Sequence, residues 1–131
     1  MSDKVIVVVS AVIQRDDNYL ITQRMEKAVL PLLWEFPGGR VEPDESPEEA
    51  LSRELRYRLG LRAQVGELIS VTQKDYSDYA VELHLYSCDI GAQEPQALTV
   101  RDVRWVASED FNAYDFPPAD KASMDSLLFE E

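Results

Sequence analysis

The sequence predicts one α+β domain, a mixed α/β sandwich built from strands, a helix, more strands and a second helix. Three observations carry that prediction. The chain has 131 residues, which suits one compact domain and is short for two. A hydrophobic share of 45%, with only 5 Gly and 7 Pro, supports a packed core and argues against disorder. The order of local patterns gives the class, and no internal repeat, low-complexity tract or linker interrupts it.

Val5 to Ile13 is apolar and β-branched and predicts a buried strand. Asp16-Asp17-Asn18 is a turn cluster, because Asn and Asp tolerate the left-handed region and bond their own backbone. Tyr19 to Thr22 then predicts a returning strand that completes a hairpin. Met25 to Leu33 has no clean period and predicts a loop. Trp34-Glu35-Phe36 runs into Pro37-Gly38-Gly39, a sharp break whose glycines permit close backbone approach to a ligand.

The best-defined element follows. Ser46-Pro47-Glu48-Glu49 is a capping box, with Pro47 at the first helical position, where a missing N–H is harmless. Ala50, Leu51, Leu55 and Leu59 form an apolar stripe at helical spacing, and Gly60 is a C-terminal stop. The result is a helix of roughly 14 residues. Beyond it, Ala63 to Thr72 predicts a strand. Tyr79 to Asp89 alternates, with Val81, Leu83 and Leu85 on one face and Glu82, His84 and Tyr86 on the other. Asp102 to Val106 predicts a short strand, Ser108 to Phe111 a helical turn, and the stretch from Pro118 an amphipathic helix carrying Met124, Leu127 and Leu128.

Composition excludes several function classes. With 13 Lys+Arg against 25 Asp+Glu the net charge is −12, which weighs against a nucleic-acid groove. The apolar run from Val5 is far short of the ~20 residues of a membrane span. It follows Asp3 and Lys4 without a basic n-region, so the expectation is a soluble, cytoplasmic protein without a secretory signal. A single Cys88 excludes an internal disulfide and a cysteine zinc site, and the single His84 excludes multi-His metal sites. His84 and Cys88 are read first as packed strand residues, and Tyr57 as a half-buried aromatic.

Gly39 to Leu61 reads GRVEPDESPEEALSRELRYRLGL. This segment resembles the Nudix box, G-x5-E-x7-R-E-U-x-E-E-x-G-U with U a bulky apolar residue. Gly39, Glu45, Arg53, Glu54, Leu55, Gly60 and Leu61 fall in register. The upstream WEFPGG and the downstream DFPPAD, from Asp115 to Asp120, are similar to the MutT-like branch, which includes nucleotide-pool cleaners and CTP pyrophosphohydrolases. The resemblance spans nearly the whole chain and implies a Nudix α/β/α sandwich with a mixed central sheet, a single domain over residues 1–131.

The resemblance also implies a chemistry: hydrolysis of nucleoside triphosphates to monophosphate and pyrophosphate, with Mg²⁺ or Mn²⁺ as cofactor. The partner is a small-molecule nucleotide or nucleoside diphosphate derivative. Magnesium takes oxygen ligands, bridges carboxylates to phosphate and stabilises charge on the phosphoryl oxygens. By that resemblance Gly38, Glu45, Glu54 and Glu94 are metal ligands, and Arg53, Glu54 and Glu94 are catalytic. Arg24, Trp34, Gly39 and Asp120 contact substrate; Arg24 matches a phosphate- or base-contacting arginine and Asp120 the position that reads the base edge. Arg58 has no counterpart in the box and is read as a substrate contact on its own charge, which can substitute for that of a metal. Trp34 and Phe36 border the pocket, Phe36 being the better core candidate.

Bland readings stand beside these. The acids Glu42, Asp44, Glu45, Glu48 and Glu49 suit a helix dipole as a solvated cluster. Arg53 can pair with Glu49 one turn away. Glu94 fits equally as a loop acid, and Asp120 as the N-cap of the last helix.

The chain departs from the box at two positions. Tyr57 and Arg58 stand where the family carries glutamates central to metal binding. Glu54 and Arg58 lie one turn apart in the favourable order, worth about 0.2–0.5 kcal/mol on an exposed helix. An ion pair between them would put positive charge where a magnesium ion belongs. Losing ~3–4 kcal/mol of metal stabilisation slows a reaction ~10²–10³-fold. The expectation is weakened or absent turnover; the alternatives are a nucleotide- or phosphate-binding module that does not cleave, and a scaffold role.

Overall fold

The computed structural model describes residues 4–117 and residue 128. The element order is β1 (Val5–Val12), β2 (Gln14–Arg15), β3 (Asn18–Gln23), β4 (Trp34–Glu35), β5 (Gly38–Arg40), α1 (Pro47–Leu59), β6 (Gln64–Asp75), β7 (Ala80–Asp89) and β8 (Asp102–Ala107), followed by a 3₁₀ turn over Ser108–Ala113. The chain is α+β, as its sequence predicts.

Two four-stranded sheets form. The first is mixed, in the order β5-β1-β7-β6, with β1 and β7 parallel and the other pairs antiparallel. In the second, β3 is central: β8 runs antiparallel along it from Asn18 to Gln23, while β2 and β4 pair with its two ends. The β2–β3 turn is Asp16-Asp17, with φ of 51° and 66°, the conformation that matches strand twist in a two-residue hairpin.

That hairpin corrects one expectation. The returning strand pairs with Gln14–Arg15, and the chain has already left the sheet containing β1. The apolar strand β1 instead runs between β5 and β7, which explains why its residues are apolar without strict alternation. The strand expected from Ala63 runs from Gln64 to Asp75 and lies exposed along the sheet edge. On β7 the alternation is present, but burial is distributed differently. Tyr86 and Cys88 are core residues, whereas Leu83 is exposed.

Helix α1 has both halves of its capping box. Ser46 Oγ accepts from the Glu49 amide at 3.1 Å, and Glu49 Oε1 accepts from the Ser46 amide at 2.8 Å. Gly60 closes the helix at φ 66°, and the Leu61 amide reaches back to the Leu55 carbonyl at 3.2 Å, a Schellman-type ending that a Cβ would strain. Leu51, Leu55 and Leu59 bury against Val9, Ala11, Tyr86 and Cys88 of the first sheet and Leu20 of the second. One core therefore holds the helix on the first sheet and joins it to the second. A smaller cluster of Ile6, Tyr79 and Val81 receives Leu128 on another part of the first sheet. A third joins Ile21, Trp34 and Val106 to Phe36, Phe111, Tyr114 and Phe116.

Leu128 is helical; the rest of the expected C-terminal helix, with Asp120, lies outside the described residues. No helix among the described residues is long and apolar enough to cross a membrane.

Candidate active site

The packing of α1 on the first sheet sets Glu54 beside the β5 backbone. A Cβ built on Gly39 would stand 2.5 Å from Glu54 Cδ, and one on Gly38 would stand 1.9 Å from the Val9 carbonyl oxygen. Neither glycine takes positive φ. The Pro37-Gly38-Gly39 break thus serves close approach within the chain: Gly38 lets β5 lie on β1, and Gly39 admits a carboxylate.

Among the described residues Glu54 is the one charged residue that is buried, at 6% exposure. Both of its oxygens are engaged. Arg53 Nη1 donates to Oε2 at 2.9 Å and Arg58 Nε donates to Oε1 at 2.8 Å. Arg53 also forks onto Glu45, Nε to Oε2 at 3.0 Å and Nη2 to Oε1 at 2.6 Å, and reaches the Arg40 carbonyl at 3.0 Å. Glu45 Oε1 accepts in addition from the Glu42 amide at 2.9 Å. Arg53 is therefore the hub that ties the loop after β5 to the helix, and bidentate geometry makes such contacts strong and directional. The Arg53 bond, then the Glu42 amide, hold the Glu45 carboxyl below its ordinary pKa; the same contact with Glu45 keeps Arg53 firmly protonated. Glu49 is not the partner of Arg53, because the cap already uses it.

Around this pair opens a cleft of about 1480 Å³, lined among others by Arg24, Glu35, Phe36, Gly38, Glu54 and Arg58. It exceeds the usual ~300–1,000 Å³ of a ligand site, because it runs from the helix over the β5 edge to Leu128. Arg24 is set by its own loop. Its amide donates to the Leu33 carbonyl at 2.8 Å, its Nε to the Val29 carbonyl at 2.8 Å, and its Nη1 approaches Glu35 Oε2 at 3.4 Å. Leu30 and Leu32 in that loop have φ of 48° and 65°, so the loop that presents Arg24 is held in a strained form.

Glu35 is the cleft residue the sequence did not disclose. Burial raises its pKa, opposed by Arg24 and then Arg58, with Glu54 pushing it further up. Its only signal in the sequence is an acid between two aromatic residues on a two-residue strand.

Other candidates are placed differently. Phe36 lines the cleft and packs on the third cluster, whereas Trp34, expected at the pocket border, is buried in that cluster, edge-on to Tyr114 at 5.1 Å. Glu94 is exposed and its Oε1 accepts from Arg15 Nη1 at 2.9 Å, so the structure does not bring it to Glu54. Arg15 is fixed there by the Gly91 and Gln93 carbonyls and by the Trp105 ring at 4.7 Å. Tyr57 is 63% exposed, not half-buried. His84 lines the cleft and its Nε2 lies 2.6 Å from Glu82 Oε1.

The donor set decides how magnesium fits. Glu45 and Glu54 have all four oxygens on guanidinium groups, with one amide besides. No group of three or more His, Cys, Asp or Glu is arranged to hold a metal among the described residues. Hard divalent ions need several oxygen ligands together, and these residues as arranged do not provide them.

Comparison with known proteins places the chain. A family model for the NUDIX domain matches residues 8–126. The chain is 38% identical over 130 residues to the CTP pyrophosphohydrolase of Escherichia coli K12, covering 95% of this chain and 93% of that protein. It is 32% identical over 131 residues to the 8-oxo-dGTP diphosphatase of Haemophilus influenzae, covering 99% and 96%. The solution structure of the E. coli ORF135 protein superposes with a TM-score of 0.75 at 36% identity, covering 96% of this chain and 90% of that one. With the box register, the mixed sheet and the buried Glu54 beside Gly39, these matches establish that the chain belongs to the Nudix family.

Proposed function

We propose that this protein acts on nucleoside triphosphates in the manner of a MutT-like pyrophosphohydrolase, and that its turnover is weak. The reaction is attack of water on a phosphorus of the phosphate chain, with cleavage of a P–O bond to give a nucleoside monophosphate and pyrophosphate. Relatives named for CTP and for 8-oxo-dGTP support the nucleotide class. A small-molecule nucleotide is the partner, and the single free cysteine suits a cytoplasmic setting.

The observation that carries the reading is the double hold on Glu54 by Arg53 and Arg58. Glu54 is the buried carboxylate of the cleft and the group able to take a proton from water. Two guanidinium groups occupy both of its oxygens. Arg24 and Arg58 supply cations for phosphate, and Arg53 orients Glu54 against Glu45. Nudix hydrolases generally use divalent ions; here the family's ligand positions Tyr57 and Arg58 carry no carboxylate. That same ion pair favours a second reading, a domain that binds nucleotide without cleaving it.

A screen of (d)NTPs and 8-oxo-dGTP for pyrophosphate release, with Mg²⁺ and with Mn²⁺, separates these. The proposal expects wild type to be ~10²-fold or more slower than Tyr57→Glu/Arg58→Glu. Equal rates for the two proteins contradict weakened turnover. Wild-type rates at background, with nucleotide still bound, select the second reading.

A further inference from the structure

We infer that the cleft holds the phosphate chain of its nucleotide without a divalent ion, Arg58 and Arg24 supplying the positive charge. The inference rests on the cleft being the nucleotide site. It concerns what balances the phosphates there.

Two glutamates of the family box would contribute −2 where Tyr57 and Arg58 contribute +1, a difference of three charges. A magnesium ion brings two. The substitution therefore makes the wall of the cleft more positive by more than the ion would. Among the cleft side chains, Arg24, Arg40, Arg53 and Arg58 stand with Glu35, Glu42, Glu45 and Glu54, so the cleft is balanced while the whole chain stands at −12.

Geometry makes Arg58 a placed cation. It engages Glu54 through Nε, and its Nη groups make no hydrogen bond within the described residues. A guanidinium anchored on one edge presents the remaining N–H groups in a fixed fork, the arrangement that suits phosphate oxygens. Its side chain is 29% exposed, enough to meet a ligand, while Glu54 beneath it is 8% exposed and stays covered. Arg24 lines the same cleft, held by its loop, and both cations act on Glu35 between them.

The carboxylates that would recruit a metal are already occupied, so the ion gains little from the protein. It can still bind the nucleotide in solution, where it competes with the arginines for the same phosphate oxygens. Magnesium is thus expected to weaken capture.

Isothermal calorimetry on the full chain tests this with α,β-methylene-dGTP, α,β-methylene-CTP and inorganic tripolyphosphate, each in EDTA and in excess Mg²⁺. The expected result is at least one probe bound in EDTA with a Kd equal to or lower than that in Mg²⁺. Arg58→Gln should raise the EDTA Kd about tenfold, a loss of one charge-assisted contact, and Arg58→Lys should recover most of it. The wild-type comparison stands even if Arg58→Gln fails to fold. Binding seen only with Mg²⁺ overturns the inference and leaves the nucleotide reading intact. No binding of any probe in either condition overturns both.

Discussion

Gly39 and Glu54 share one space: a methyl group at Gly39 would lie 2.5 Å from Glu54 Cδ and 2.6 Å from Oε2. The carboxylate cannot simply swing aside, because Arg53 and Arg58 pin it from both oxygens. Gly39→Ala should therefore cost about 1–3 kcal/mol, the range for overpacking a filled site, and should loosen the Arg58 contact. Urea unfolding measures it; a change within about 0.5 kcal/mol, ordinary for a surface substitution, would show that Glu54 is not held as described.

Glu35 predicts a pH dependence. Its native pKa lies above the ordinary 4.5 because of burial. Below 4.5 native and unfolded chains both hold the proton and Glu35 contributes nothing. Above it the unfolded chain ionises first, so stability falls as pH rises through the raised native value. Glu35→Gln should match wild type at low pH and gain on it above that window. Glu45 acts with the opposite sign, since Arg53 depresses its pKa: its stabilisation is present above 4.5 and is lost as pH falls. Unfolding curves at several pH values read both, and parallel profiles for Glu35→Gln and wild type would contradict the Glu35 assignment.

How legible all this was in the sequence depends on the range of the interaction. Helix α1 was readable because its signals are local: Ser46 and Glu49 cap each other, and Gly60 alone accepts the left-handed stop. The Glu54–Arg58 pair was readable for the same reason, being four residues apart on one helix. The partner of β3 was not, because the residues of β8 that pair with it lie 79 to 89 positions along the chain and the turn at Asp16-Asp17 constrains only β2. Glu35 was hidden because its neighbours Arg24 and Arg58 come from a loop and a helix that only the fold brings together. Trp34 and Phe36 are two residues apart, a spacing that puts both on one face of a continuous strand; β4 ends at Glu35, and only Phe36 lines the cleft.

The helix cap offers a stability test separate from the cleft. Ser46→Ala removes the acceptor for the Glu49 amide and should cost about 1 kcal/mol. Thermal unfolding checks the value; an unchanged midpoint would mean that the box contributes nothing here.

Cys88 should be chemically quiet. It is 7% exposed, and burial pushes its thiol up to about 11, so little thiolate exists near neutral pH. A disulfide reagent at pH 8 should label it only as the chain unfolds, at a rate that follows denaturant. Immediate stoichiometric labelling of native protein would contradict its place in the core.

The central claim is that the Arg58 guanidinium occupies the place of a cation at Glu54. Diffraction from crystals soaked in Mn²⁺, with data collected at the manganese edge, tests it most directly. The account predicts Arg58 Nε on Glu54 and no anomalous peak between Glu54 and the Gly38 carbonyl. An octahedral manganese bound to Glu54, with Arg58 displaced into solvent, would contradict it.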